Sequence, residues 1–187
     1  MLSRGLVLFD RVLYKFKRAY YRKVFLVKTG NENVKNCNVY SRVNILNNNI
    51  TIGDNVTFFH NVTFFGDGKI MIGDNVAIGQ DVIIYASADK GGVSIGNNTM
   101  IAAHSYIIDC DHGLEKGIPI YKQKNTVGTV KIGNDVWIGD NCTILKHSVI
   151  EDGAIVGAKS LVKGKVAQDT IVVGIPAKEI KQRKRNE

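Results

Sequence analysis

Ile52-Gly53-Asp54-Asn55-Val56-Thr57 returns as Ile72-Gly73-Asp74-Asn75-Val76-Ala77, again from Ile95 as Ile-Gly-Asn-Asn-Thr-Met, and again from Ile132 as Ile-Gly-Asn-Asp-Val-Trp. The unit is six residues: an aliphatic, a small residue or glycine, two polar residues, then a small or β-branched residue. On either side of these stretches, Ile132, Ile138, Ile144, Ile150, Val156 and Val162 fall six apart, as do Val34, Tyr40, Leu46, Ile52, Phe58 and Phe64. Ile72, Ile78 and Ile84 form another such set, and Ile95, Ile101 and Ile107 a further one. A period of six is neither the 3.6 of a helix nor the simple alternation of a strand. It fits a short strand followed by a sharp corner, where Gly, Asn and Asp tolerate positive φ.

Three such sides make a triangular coil of eighteen residues, and stacked coils pair as parallel strands about 4.8 Å apart. The sequence therefore predicts an all-β parallel β-helix with first-position aliphatics filling its axis. Coils start near Val34, Ile52, Ile72, Ile95, Ile132 and Ile150, so about six are expected. Wherever the spacing exceeds eighteen, the excess must bulge from a corner. This places small insertions near Gly66–Met71 and Asp89–Gly92 and a large one over about 113–131.

The two ends differ from this body. Leu2, Leu6, Phe9, Leu13, Phe16, Tyr20, Val24 and Val27 step by three or four, which predicts an amphipathic helix over 2–27. Arg11, Lys15, Arg18 and Arg22 lie largely off that stripe. The organisation is thus a basic helical segment (1–30), a β-helix domain (31–177) and a basic tail (178–187), the tail a short helix or a frayed end. The helix has two readings: its stripe covers the exposed edge of the first coil, or it makes peripheral contact with an anionic membrane surface.

The chain has 187 residues and a net charge of +8. Residues 1–30 hold eight Lys/Arg against one acid, whereas residues 31–177 hold twelve against fourteen. A nucleic-acid-binding surface would place the charge on the body, so no nucleic acid is expected as a partner. No run approaches the ~20 apolar residues of a spanning helix, and no signal-peptide core precedes Asp10 and Arg11. The expected location is the cytoplasm, with the inner face of the membrane following from the second reading of the helix. Cys37, Cys110 and Cys142 are odd in number and follow no signal-peptide core, which argues against a disulfide framework, and no C-x-x-C metal spacing appears.

His112 stands out. Register places it at a corner, as the last residue before the large insertion. An imidazole, which ordinarily titrates near about 6.5, suits a general base. The flanking Asp109 and Asp111 either orient the ring and stabilise imidazolium or serve corner chemistry. Cys110 is either a buried inert thiol or a nucleophile. His60, His104 and His147 read as solvated strand residues. His60 and His104 share an azimuth but sit two coils apart, about 9.6 Å, too far for one zinc with ~2 Å bonds, so no metal is expected.

Asp109-Cys110-Asp111-His112-Gly113, Val136-Trp137-Ile138-Gly139, Gly157-Ala158-Lys159-Ser160 and Gly174-Ile175-Pro176-Ala177-Lys178 are telling stretches. With the hexads, they make residues 34–181 resemble the left-handed β-helix acyltransferases of the hexapeptide-repeat family. The resemblance is strongest to sugar and polysaccharide O-acetyltransferases such as the galactoside, maltose, capsule and O-antigen enzymes. It implies left-handedness, a homotrimer with sites between subunits, acetyl-CoA as donor, and His112 as catalytic base. The family often has D-H-D-H-G where this chain has Asp109-Cys110-Asp111-His112-Gly113, so Cys110 replaces the first His while the base survives. By resemblance, Trp137 and Cys110 belong to the cleft, and Ala158, Lys178 and Lys181 meet coenzyme A, with cations apt for its phosphates. A common Thr-Lys pair is Lys163-Gly164 here.

The expected reaction is acetyl transfer from acetyl-CoA to a hydroxyl of a sugar or surface polysaccharide, with His112 deprotonating an acceptor that attacks the thioester directly. The insertion then reads as a loop closing over the substrates or as a trimer-packing arm. Rival readings are N-acetylation of a nucleotide-linked amino sugar, a non-catalytic β-helix scaffold, and a zinc hydratase on the same fold.

Overall fold

The computed structural model describes residues 2–87 and 91–184, with side chains from residue 7 onward. The Leu2 and Leu6 side chains of the predicted stripe, part of the Asp89–Gly92 insertion and the last three residues of the basic tail lie outside that set. One helix, α1 (Leu2–Thr29), precedes the expected parallel β-helix. Its first face runs from Asn38–Val39 to Thr170–Gly174, its second from Asn44–Leu46 to Leu161–Val162, and its third from Ile50–Ile52 to Lys165–Val166. Six complete turns are followed by one further side on the first face, slightly more than the six coils expected.

The repeat is explained by the corner between the third and first faces. Asp54, Asp74, Asn97, Asn134 and Asp152 stack there, each side chain accepting a backbone N–H of the turn before: Lys35→Asp54 at 2.8 Å, Asp54→Asp74 at 2.7 Å, Asp74→Asn97 at 2.8 Å, Asn97→Asn134 at 2.8 Å and Asn134→Asp152 at 2.7 Å. The next residue, Asn55, Asn75 or Asn98, has a φ of 57–58°, the left-handed region that Asn enters at least cost. Their amides form a second ladder, Asn55 to Asn75 and Asn75 to Asn98, both 3.0 Å. The glycine before them is steric: a Cβ on Gly53 would overlap the Asp74 carboxylate of the next turn. The fifth residues, Val56, Val76, Thr99, Val136 and Ala154, are fully buried beneath the corner.

Axial residues stack in single file, Phe58, Ile78, Ile101, Ile138, Val156 and Val172 on the first face. In the first coil the sequence register is one residue off. Val39 pairs with Phe58 and Ile45 with Phe64, so Tyr40 and Leu46, the expected core residues, point outward. Leu46 is 60% exposed, and Tyr40 stacks on Phe59 with ring centroids 5.0 Å apart. A slip of one residue reverses inside and outside, and the first coil lacks a Gly-Asp corner that would have fixed it.

Both ends are closed. Phe25 and Leu26 of α1 enter the open end of the first coil, where Phe25 meets Phe58 at 4.8 Å and Phe64 at 6.2 Å. So the helix does cover that edge, but not with the predicted stripe: Phe9, Phe16 and Tyr20 are exposed. At the other end the tail is neither helix nor frayed through its described part. Ala177–Gln182 turns back after a cis Ile175–Pro176 bond and pairs antiparallel with Thr170–Gly174. This occupies the last strand's free edge. Arg183 fixes it, donating to Asp135 Oδ2 at 2.9 Å and the Gly153 carbonyl at 2.8 Å.

Candidate active site

All three insertions emerge at one corner, between the second and third faces: the Gly66–Lys69 turn, the segment after Ser87, and the excursion between Ile108 and Val130. The excursion leaves the second face after Ile108, earlier than the expected 113, and ends before the expected 131, because Val130 and Lys131 are already in a strand of the third face. Its stem is a two-residue antiparallel pair, Cys110–Asp111 against Thr126–Val127.

Asp109 anchors this corner. It is fully buried, and its two carboxylate oxygens accept N–H bonds from Ser87 at 2.7 Å and Gly92 at 2.6 Å. Its carbonyl accepts the Gly128 N–H at 2.7 Å. One residue thereby joins the insertion of the previous turn to both strands of the stem. Burial pushes the carboxyl above its ordinary value, opposed by the two N–H donors. Asp111 pairs instead with Lys146 of the next turn, at 3.0 Å, and that ammonium also contacts Thr126. Among the described residues neither aspartate hydrogen-bonds His112, and the Asp109 carboxylate is taken up by the corner N–H groups of Ser87 and Gly92.

Cys110 is buried, and its sulfur accepts the Asn125 amide N–H at 3.9 Å. Burial and then the Asp109 charge push its thiol up, contrary to the needs of a nucleophile. His112 is exposed at the point where the loop leaves the stem. Beyond it the loop holds a cleft of about 540 Å³, lined by Gly113, Leu114, Ile118, Lys122, Asn125 and Thr126 among others but not by His112. Gln123 sets the loop's shape: its oxygen accepts the Glu115 N–H at 2.8 Å and its amide donates to the Glu115 and Ile118 carbonyls at 2.9 and 2.7 Å.

The remaining predicted residues gather elsewhere. Trp137 stands outward on the first face, 49% exposed, between Met100 and Ile155. Ala158 is exposed at the corner between the first and second faces. Lys178 and Lys181 lie on the returning strand, opposite Val173 and Ile171. Within the chain, His112 and its loop therefore lie at one corner, whereas Trp137, Ala158, Lys178 and Lys181 lie on and beside the first face.

The other histidines are corner residues rather than strand residues. His104 (φ 59°) and His147 (φ 63°) occupy left-handed corner positions. His104 Nδ1 lies 3.0 Å from Asp140, with Asp81 on its other side at 3.6 Å. Sequence reasoning gave no structural role to Gly91, Gly92, Lys146 or Gln123. The adjacent glycines at the end of an insertion were the available signal for close backbone approach.

Residues 129–164 match the bacterial transferase hexapeptide (six repeats) family. The chain is 35% identical over 125 residues to WbbJ of Escherichia coli K12, a provisionally assigned lipopolysaccharide biosynthesis O-acetyl transferase, covering 63% of this chain and 62% of WbbJ. It is 32% identical over 118 residues to an Escherichia coli dTDP-4-amino-4,6-dideoxy-D-glucose acyltransferase, covering 63% of this chain and 53% of that protein. The chain therefore spans less than two thirds of these relatives. Among solved structures, a point mutant of AntD, an N-acyltransferase of Bacillus cereus in complex with dTDP-4-amino-4,6-dideoxyglucose and coenzyme A, superposes with a TM-score of 0.70 at 28% identity, over 81% of this chain and 83% of AntD. The protein is a parallel β-helix built on hexapeptide repeats, similar in sequence and fold to O- and N-acyltransferases of sugars and nucleotide sugars.

Proposed function

We propose that this protein transfers an acyl group from coenzyme A to the amino group of a nucleotide-linked amino sugar. The observation that carries the reading is the similarity to AntD in complex with coenzyme A and such a sugar, extending over most of both chains. That similarity favours the amine acceptor over the sugar hydroxyl expected from sequence. O-acetylation stays as a second reading, supported by the similarity to WbbJ and by an exposed imidazole on a buried, anchored stem.

In either reaction His112 removes the acceptor's proton as the nitrogen or oxygen attacks the thioester carbonyl, and the coenzyme A thiolate leaves. On this reading the two groups of residues are half-sites that another subunit brings together. In the proposed homotrimer the loop and His112 of one copy face Trp137 and Ala158 of the next, with Lys178 and Lys181 toward the coenzyme's phosphates.

The experiment is to incubate the purified chain with acetyl-CoA and dTDP-4-amino-4,6-dideoxyglucose, following thiol release and product mass. An N-acylated product supports the reading. Thiol release only with hydroxyl sugars moves the assignment to O-acetylation, and no coenzyme A binding by a folded protein overturns both.

A further inference from the structure

Phe16 and Phe25 are nine residues apart on α1, about half a turn around the helix at 100° per residue. Phe25 is 1% exposed and Phe16 is 70% exposed. Tyr20 and Thr29 repeat the relationship, with Thr29 buried and Tyr20 64% exposed. From Arg18 onward the helix thus seats one side on the first coil and turns the other away from it, while Val7–Lys17 are exposed on every side. Phe9, Leu13, Phe16 and Tyr20 form that outward stripe and are all exposed. Lys17 and Lys23 flank it, each about 60° from its centre by the same helical step.

From this arrangement we propose that α1 docks the protein, first coil downward, on a bilayer surface containing anionic phospholipid. The inference is independent of the reaction assigned above. The apolar stripe supplies the area that such helices bury at the headgroup boundary, and the flanking lysines can extend their charged ends to the headgroups. Charge selects the occupant. Lys17 and Lys23 are the charged residues flanking the stripe, so two copies of this helix packed stripe to stripe would bring like charges together. The body, with twelve basic and fourteen acidic residues over 31–177, offers no strongly acidic counterpart. An anionic surface satisfies both the stripe and the charge. Among the described residues no helix is long and apolar enough to cross a membrane, so α1 lies on the surface. Copies related by an axis along the β-helix would present their stripes to the same plane.

The test is flotation of the full-length protein with vesicles of phosphatidylcholine alone or with roughly one-third phosphatidylglycerol, compared with the double variant F9S/F16S. Both side chains are exposed in the protomer, so the variant keeps the wild-type melting transition; a second variant, K17E/K23E, reads the charge separately. The expected result is binding to the phosphatidylglycerol vesicles, at least about tenfold weaker for either variant and weakened by high salt. No binding by the wild type, or binding unchanged in F9S/F16S, overturns the proposal. So does an oligomer that F9S/F16S dissociates without any vesicle binding, which would make the stripe an interface between copies.

Discussion

Asp109 and Gly92 lie seventeen residues apart and are joined by a 2.6 Å hydrogen bond from the glycine N–H to a fully buried carboxylate. That bond, with its partner from Ser87, ties the corner of one turn to the stem that carries His112. Replacing Asp109 by Asn opposes an amide donor to one of two N–H donors. We expect a loss of about 1–3 kcal/mol, read as a lower denaturation midpoint. The pH dependence has a definite sign. Burial raises the folded-state value of Asp109, so its contribution is full below the unfolded value of about 3.9 and is lost as pH rises through the folded value. The advantage of wild type over Asp109→Asn therefore narrows from pH 4 to pH 7; a widening gap would contradict this account.

Gly91 tests the same corner sterically. A Cβ there would overlap both the Asp109 carboxylate and Val127. Gly91→Ala should lower stability by about 1–3 kcal/mol through overpacking, as measured by chemical denaturation. An unchanged midpoint would mean that the corner is looser than described.

His112 is exposed, so His112→Ala should melt like the wild type while turnover falls by about 10²–10⁴. The fall should be smaller with an amine acceptor than with a hydroxyl, because a neutral amine attacks with less help from a base. Turnover that survives with every acceptor would remove His112 from the chemistry.

The proposed half-sites make a further expectation. His112→Ala and Trp137→Ala are each impaired, yet subunit exchange between them should restore activity, with up to about a quarter of the sites intact in statistical trimers. A mixture no more active than its components would place both residues in one protomer's site or in none.

The three thiols should resist modification in the folded protein. Burial pushes Cys37 up to about 11 and also raises Cys110 and Cys142. A disulfide reagent at pH 8 should label all three readily only after denaturant is added. Rapid labelling of Cys110 in the native state would reopen its role as a nucleophile.

Much of this architecture was legible in the hexads because each position has a single physical role, with the aliphatic turned inward, the glycine allowing close approach, and Asp or Asn accepting the preceding turn's N–H. The reading failed where that chemistry is missing. Without a Gly-Asp corner before Tyr40, nothing in the sequence distinguished Val39 from Tyr40 as the axial residue. Likewise, the apolar stripe of α1 announced a buried face, yet Phe25 and Leu26, off that stripe, make the contact. Helical periodicity shows which residues share a side but not which side meets the body. For the site, the Asp109–His112 motif located the loop, whereas the Asp109 bonds to Ser87 and Gly92 depend on two turns coming together in space.

The ladder also bears on how the chain folds. Most neighbouring strands are linked through about eighteen to twenty-three residues, but Met100 reaches its partner Trp137 across 37. Chain entropy grows only logarithmically with the length of the closed segment, so doubling it costs about 0.6 kcal/mol. The loop bearing His112 is therefore a small thermodynamic burden on the stack, and its length can vary with little effect on the equilibrium between folded and unfolded chain.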